Sequence, residues 1–200
     1  MPGPSLPGPS LPGTGLPGPG VTGPGLPGLG ATVALTLTER GLEFSRPRPE
    51  LFVVTLPGEA KLSTTCLLTL GAHGLRVEAF VCRQPDENHE GVYAFLLRRN
   101  RKLFGVHYTI DRAGDIYLVG RSSVDSVTEA ELDRVLGQVL EAADGDFNTI
   151  LELGFATSIR REWAWRTRRG ESLRNLQAFT HLVPGGAAVE RGDEPADTSQ

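Results

Sequence analysis

The sequence predicts an α+β fold in two layers, a largely antiparallel five-stranded sheet packed by helices in the order α-β3-α-β2-α, with an extra helical segment at the C-terminal end. Three observations carry this reading. Residues 63–82 and 104–121 alternate apolar and polar side chains about short glycine-containing loops, as β-hairpins do. From Ser126 onward, apolar residues recur at helical spacing through about 26 positions. Ten of the 25 glycines and nine of the 15 prolines of the 200-residue chain lie in residues 1–30, so the folding unit is the remainder.

Residues 1–30 carry no charge, and their leucines stand isolated between proline and glycine. Such a stretch cannot bury enough apolar surface to offset its ordering entropy, and it is predicted to be a disordered Gly/Pro tail. Three overlapping GxGxxG matches between Gly13 and Gly28 lack the preceding strand and following helix of a dinucleotide site. Their glycine spacing does not hold the strict period of three that collagen needs. Residues 184–200 account for −3 of the formal net charge of −4 and are predicted to be a disordered acidic tail. One domain, residues 31–183, remains. It is nearly neutral, so no global field draws it to nucleic acid or an anionic membrane. There is no secretory signal and no apolar run long enough to span a bilayer, and a cytoplasmic location is expected.

Within the domain, residues 31–42 read as a short helix stopped by Gly41, although Val33, Leu35 and Leu37 also alternate as in a strand. Leu51–Leu56, ended by Pro57-Gly58, is the first strand. In the next hairpin Leu70 pairs with Leu75 and Cys66 with Ala79. One face then holds Cys66, Leu68, Leu70, Leu75, Val77, Ala79 and Val81 and is the core face. Leu67 and Phe80 stand out as apolar residues on the opposite, mostly polar face. This register places Cys66 and Cys82 on opposite faces, too far apart for a disulfide, and predicts two free thiols.

Residues 84–102 read as a helix with Asp86 or Asn88 as N-cap, acidic residues in its first turn and arginines at its end, in agreement with the helix dipole. In the second hairpin, Val106, Tyr108 and Ile110 with Ile116 and Leu118 form the buried face, while His107, Thr109, Tyr117 and Val119 face outward. A capping box at Ser126–Glu129 or Thr128–Glu131 opens one long amphipathic helix that ends near Gly154, with a weak point at Asp144–Asp146. Ile159–Thr167 and Ser172–Leu182 read as further helices about Gly170. Trp163 and Trp165 cannot share one helical face.

Four histidines without i, i+4 pairing and two cysteines without a CxxC give no zinc pattern, and the chain has no GxSxG, Walker loop or HExxH. No catalytic residue, metal or cofactor is expected. Asp111 and Asp115 flank a hairpin loop, where turn-forming carboxylates are ordinary. An unrecognised enzymatic or small-ligand site is the first alternative. Nucleic-acid binding through Arg160, Arg161, Arg166, Arg168, Arg169 and Arg174, interleaved with Trp163 and Trp165, is the second; Glu162 and Glu171 dilute that cluster.

Four segments suggest a family: Asp86–Asn100 (DENHEGVYAFLLRRN), Gly114–Arg121 (GDIYLVGR), Asp146–Phe155 (DFNTILELGF) and Arg169–Phe179 (RGESLRNLQAF). They resemble the actinobacterial branch of the YbjN-type proteins, named as bacterial sensory-transduction regulators, over about residues 45–182. The resemblance implies a fold similar to the type III secretion chaperones, in the element order read above, and a regulatory role without assigned catalytic chemistry. The expected activity is therefore non-enzymatic capture of a protein partner or homodimerisation. The surface expected to serve it comprises Leu67, Phe80, Tyr117 and Val119 on the sheet, unless the C-terminal helices cover them, with Trp163 and Trp165.

Overall fold

The computed structural model describes residues 26–183. Element order is α1 (Leu26–Glu39), β1 (Glu43–Arg48), β2 (Leu51–Pro57), β3 (Ser63–Gly71), β4 (Gly74–Cys82), α2 (His89–Asn100), β5 (Val106–Ile110), β6 (Ile116–Ser122), α3 (Glu129–Gly145) and α4 (Phe147–Arg169). Short 3₁₀ segments follow β6 and α4, at Val124–Ser126 and Arg174–Leu182. The strands form one antiparallel sheet ordered β1-β2-β3-β4-β6-β5.

The α+β class and both hairpin registers agree with the sequence reading, but the sheet has six strands, not five. The additional strand is β1, whose sequence EFSRPR contains Pro47 and is almost wholly exposed. Proline cannot donate to a ladder and is confined to sheet edges and bulges. Accordingly β1 is an edge strand, and its pairing with β2 is irregular between Ser45 and Arg48. The order is therefore α-β4-α-β2-α.

Helix α1 starts at Leu26, five residues inside the segment that composition assigned to the tail. Leu29, Val33 and Leu37 line its buried side at spacing four, while Leu35 points to solvent. That exposed Leu35 produced the strand-like alternation. Thr32, Thr36 and Thr38 each donate their hydroxyl to the carbonyl four residues back, which accommodates threonine within the helix. The rest of the predicted Gly/Pro tail, residues 1–25, and the predicted acidic tail, 184–200, lie outside the described residues.

The core lies between one sheet face and α1, α2 and α3. Phe52, Leu68, Val77 and Val106 form one row across the sheet, and Val54, Cys66, Ala79, Leu118 and Tyr108 the next, all buried. Leu132, Val135, Leu136, Val139, Ala142 and Ala143 of α3 close over them. Two residues depart from their expected faces. Ile110, at the end of an edge strand, is 45% exposed rather than buried. Cys82 is buried because the β4–β6 pairing shifts between Phe80 and Cys82, a bulge that turns both Val81 and Cys82 inward.

Both cysteines are free. Burial pushes the Cys66 thiol up to about 12 and the Cys82 thiol to about 11, from an ordinary value near 9. Because the folded values are raised, their contribution to stability is complete below about pH 9 and is lost as pH rises toward 11–12. In native protein at pH 8, neither thiol is expected to react with Ellman's reagent on the timescale of a denatured control. Prompt titration of one equivalent would show that Cys82 is accessible.

The long helix predicted from Ser126 to Gly154 is divided and extended. Thr128 is its N-cap, accepting from the Glu131 amide at 3.2 Å. It breaks at Asp146, and α4 continues to Arg169, where Gly170 (φ 67°) caps it. The backbone departs from helical geometry at Phe155 (φ −142°). Here the Gly154 carbonyl accepts from the amides of Asp86 and Glu87, at 2.9 and 3.1 Å. These two amides of the β4–α2 loop supply partners at the kink, so the chain turns there without ending.

Candidate protein-docking surface

Among the described residues, no helix packs as a layer on the second face of the sheet. Register sets its rows: Val53, Leu67, Glu78, Val119 and His107 lie side by side across five strands. Toward one end Phe80 pairs with Tyr117, which pairs with Thr109, and toward the other Leu51, Thr69, Arg76 and Arg121 align. Leu67, Phe80, Tyr117 and Val119 are thus gathered on one surface, as expected. Phe80 is 40% exposed and meets the Tyr117 ring edge-on at a centroid separation of 5.4 Å. Glu78, inside this band, is paired with Arg76 at 2.5 Å. A depression of about 930 Å³ over β5 and β6 is bordered by Arg76, His107, Tyr117, Val119 and Arg121.

The segment 159–182 does not cover this face. It belongs to α4 and the 3₁₀ segment, which pack on each other while α4 meets α2 and α3. Ser172–Leu182, read from sequence as helical, is a 3₁₀ helix from Arg174 onward. Trp163 and Trp165 lie on this outer helical arm and do not join the sheet surface. Trp165 is 39% exposed with the Arg169 guanidinium 4.9 Å from its ring centre, and Trp163 is half-buried. In the arginine cluster, Arg166 is bound to Glu162 at 2.7 Å and to the Ser172 carbonyl at 2.9 Å, and Arg169 to Glu171 at 3.1 Å.

Both edges of the sheet are protected against strand addition. Pro47 and the irregular pairing blunt β1. On β5, Asn100 occupies the edge with its side-chain amide: its carbonyl oxygen accepts from Tyr108 N–H at 2.7 Å, and its NH₂ donates to Tyr108 C=O at 3.2 Å. These two bonds imitate a neighbouring strand. Asn100→Ala is expected to cost about 1–3 kcal/mol in denaturant unfolding, the price of two unpaired main-chain groups, and to increase aggregation through the opened edge. Unchanged stability would mean that water replaces Asn100 without loss.

The framework beneath the face is tied by polar contacts among the quoted motifs. The single Tyr108 hydroxyl proton is shared between Asp146 Oδ2 at 2.9 Å and the Ala142 carbonyl at 2.8 Å, and Arg99 Nε donates to the same Asp146 oxygen at 2.7 Å. Burial, then the Asp146 charge, raises the Tyr108 hydroxyl pKa, so it stays a donor. Arg83 grips Asp86 through two bonds of 2.5 and 2.8 Å, and Ser158 donates to Asp86 at 2.7 Å. The Arg83 bonds, then the Ser158 bond, hold the Asp86 carboxyl down at about 2. Glu87 accepts from the Thr157 amide and hydroxyl, and Asn88 (φ 49°) caps α2 by accepting from Gly91 N–H at 3.2 Å. Among the described residues no His, Cys, Asp or Glu cluster could hold a metal ion. Among them, too, no helix is long and apolar enough to cross a membrane.

Sequence reading did not single out Leu51 and Val53, which extend the apolar band on β2, or Arg121, which ends it. The signal was present, since Phe52, Val54 and Leu56 alternate with Leu51, Val53 and Thr55. Both β2 faces are rich in apolar residues, however, and alternation alone does not tell the core face from the open one.

These features define a small α+β protein with a bare, partly apolar sheet face set between two protected edges. The chain belongs to the YbjN family, whose sequence model, described as "Putative bacterial sensory transduction regulator", matches residues 30–152. It is 67% identical over 131 residues to an uncharacterized protein of Mycobacterium leprae, covering 66% of this chain and 71% of that one. Uncharacterized proteins of Mycobacterium bovis and Mycobacterium tuberculosis are 60% identical over 146 residues, 73% of this chain and 80% of theirs. Among solved structures, a chain of the heterodimeric ExoU–SpcU complex from the type III secretion system of Pseudomonas aeruginosa aligns with TM-score 0.40 and 20% identity. That alignment spans 60% of this chain and 96% of the other.

Proposed function

We propose that this chain is a non-enzymatic regulatory or chaperone-like interaction domain that works in the cytoplasm by holding a protein, either another chain or a second copy, against its open sheet face. The observation that carries this reading is the bare face itself, on which Leu67 and Val119 flank Glu78 in one row and Phe80 pairs with Tyr117 in the next. An apolar patch of this kind, rimmed by charge, is the usual mark of an interaction site. Strand addition is disfavoured by Asn100 and Pro47, which leaves face-to-face docking as the route. The test combines light scattering with crosslinked pull-down of the full chain and of Phe80→Asp. Self-association or specific capture that is lost in Phe80→Asp supports the reading. Strictly monomeric behaviour together with no captured partner overturns it.

A further inference from the structure

The outer arm of α4 gathers cations in an otherwise nearly neutral domain. From Arg160 to Arg174 six arginines are opposed only by Glu162 and Glu171, a local excess of +4. Ser158, Arg161, Glu162, Trp165 and Arg168 line a depression of about 590 Å³ along this arm. The carboxylates around it are already taken: Asp86 by Arg83, Glu162 by Arg166 and Glu171 by Arg169. That leaves Arg161 and Arg168, both exposed, without an ion-pair partner among the described residues. They stand seven residues apart, so their Cα atoms are separated by about 10.5 Å of helical rise on nearly the same face. Trp165 lies between them and is 39% exposed, although the Arg169 guanidinium rests against its ring. The groove therefore offers two free guanidinium groups with an aromatic surface between them, and no free carboxylate.

We infer that this groove is an anion-binding surface whose occupant is the chain's own acidic segment, residues 184–200, seated through Glu194-Pro195-Ala196-Asp197. The segment carries Glu190, Asp193, Glu194 and Asp197 against Arg191 alone, so its charge is opposite to that of the arm. Pro195 biases Glu194 toward the extended, polyproline-like region. With three residues per turn, that conformation places residues 194 and 197 on one side, about 9.3 Å apart. The spacing matches that of Arg161 and Arg168, and Pro195 is left beside the Trp165 ring, the kind of aromatic surface on which such segments pack. Reach is sufficient. His181 lies 3.3 Å from Glu152, so the described chain ends beside the first half of α4. From there to Arg161 the path is nine residues of rise and about half the helix circumference, about 30 Å in all. The eleven residues from Val183 to Glu194 extend to at least about 36 Å. Exposed ion pairs are individually weak, but the covalent tether supplies an effective concentration of about millimolar, so the contact forms within one molecule and is sensitive to salt. The occupied arm is nearly neutral, and any other polyanion must first displace the segment. The arm lies apart from the open sheet face, so this contact stands or falls independently of docking there.

Paramagnetic broadening in the full chain tests this contact. A nitroxide is attached at Ala196→Cys, and the indole N–H signal of Trp165, assigned with Trp163→Phe, is followed by NMR. Wild type carried through the same labelling controls for Cys66 and Cys82. At about 50 mM salt the Trp165 signal is expected to lose more than about half its intensity, and to recover it at about 0.5 M, where screening is effective beyond about 4 Å. Arg161→Glu with Arg168→Glu, confirmed folded by thermal melting, is expected to restore the signal, and the paired Gln variants replace it if it does not fold. Adding Glu194→Arg and Asp197→Arg to the charge-reversed arm is expected to bring the broadening back. Full intensity with the native arm at low salt overturns the contact, as does broadening that survives reversal of both arginines. Equal broadening when label and isotope are carried by different molecules overturns occupancy by the chain's own segment. An unbroadened Trp165 signal that a single-stranded RNA oligonucleotide then shifts overturns it as well, and assigns the groove to nucleic acid.

Discussion

Phe52→Ala is expected to destabilise the fold by about 3–5 kcal/mol, the range for deleting a buried aromatic ring from a packed core. Phe52 is fully buried and sits on the core face of β2, opposite Leu68. Its ring lies 6.0 Å from that of Phe44 and 4.7 Å from the Arg46 guanidinium, so its removal also loosens the edge strand β1. The void would border α1, β1, β2 and β3 without touching any side chain of the open face. Chemical denaturation should show a lower midpoint with little change in slope, and association measured where the variant remains folded should be unaltered. A loss below about 1 kcal/mol would mean that α1 collapses readily onto the site.

Asp146→Ala is expected to cost about 2–4 kcal/mol, less than for a fully buried pair because Arg99 keeps some contact with water. Asp146 is 7% exposed, and one of its oxygens holds both Arg99 and the Tyr108 hydroxyl at the break between α3 and α4. Its removal leaves the Arg99 guanidinium without its carboxylate, and the buried Tyr108 hydroxyl keeps only the Ala142 carbonyl. Asp146→Asn retains a hydrogen-bond acceptor and loses the charge, so it should fall between wild type and alanine. Equal stability of Asn and Ala variants would show that the charge, rather than the hydrogen bonds, carries the effect.

Most of the sheet was legible in the sequence because hairpin registers are set by loop position and by period-two alternation, both visible in a single chain. The pairs Leu70–Leu75 and Cys66–Ala79 follow from the turn alone, and Leu67, Phe80, Tyr117 and Val119 from the alternation it fixes. Features that depend on distant partners were not legible. β1 is held by pairing with β2 despite Pro47, α4 passes Gly154 because the Asp86 and Glu87 amides take its carbonyl, and Cys82 turns inward at a bulge. In each case a tertiary hydrogen bond or edge position overrides a local signal. The tryptophans stood out by residue type, and their separation from the sheet depends on the path of α4 beyond Phe155, which local periodicity does not encode.

The two destabilising variants separate folding from association, so a change at the open face can be read on its own. Site-specific photocrosslinking from a benzoylphenylalanine placed at Tyr117, with Leu97 on the outer side of α2 as the exposed comparison position, tests most directly whether this face is the docking surface. Crosslinks from position 117 into a second protein chain, absent from position 97 and removed by Phe80→Asp, are the predicted result. Crosslinks that form from position 97 and not from position 117 would contradict it.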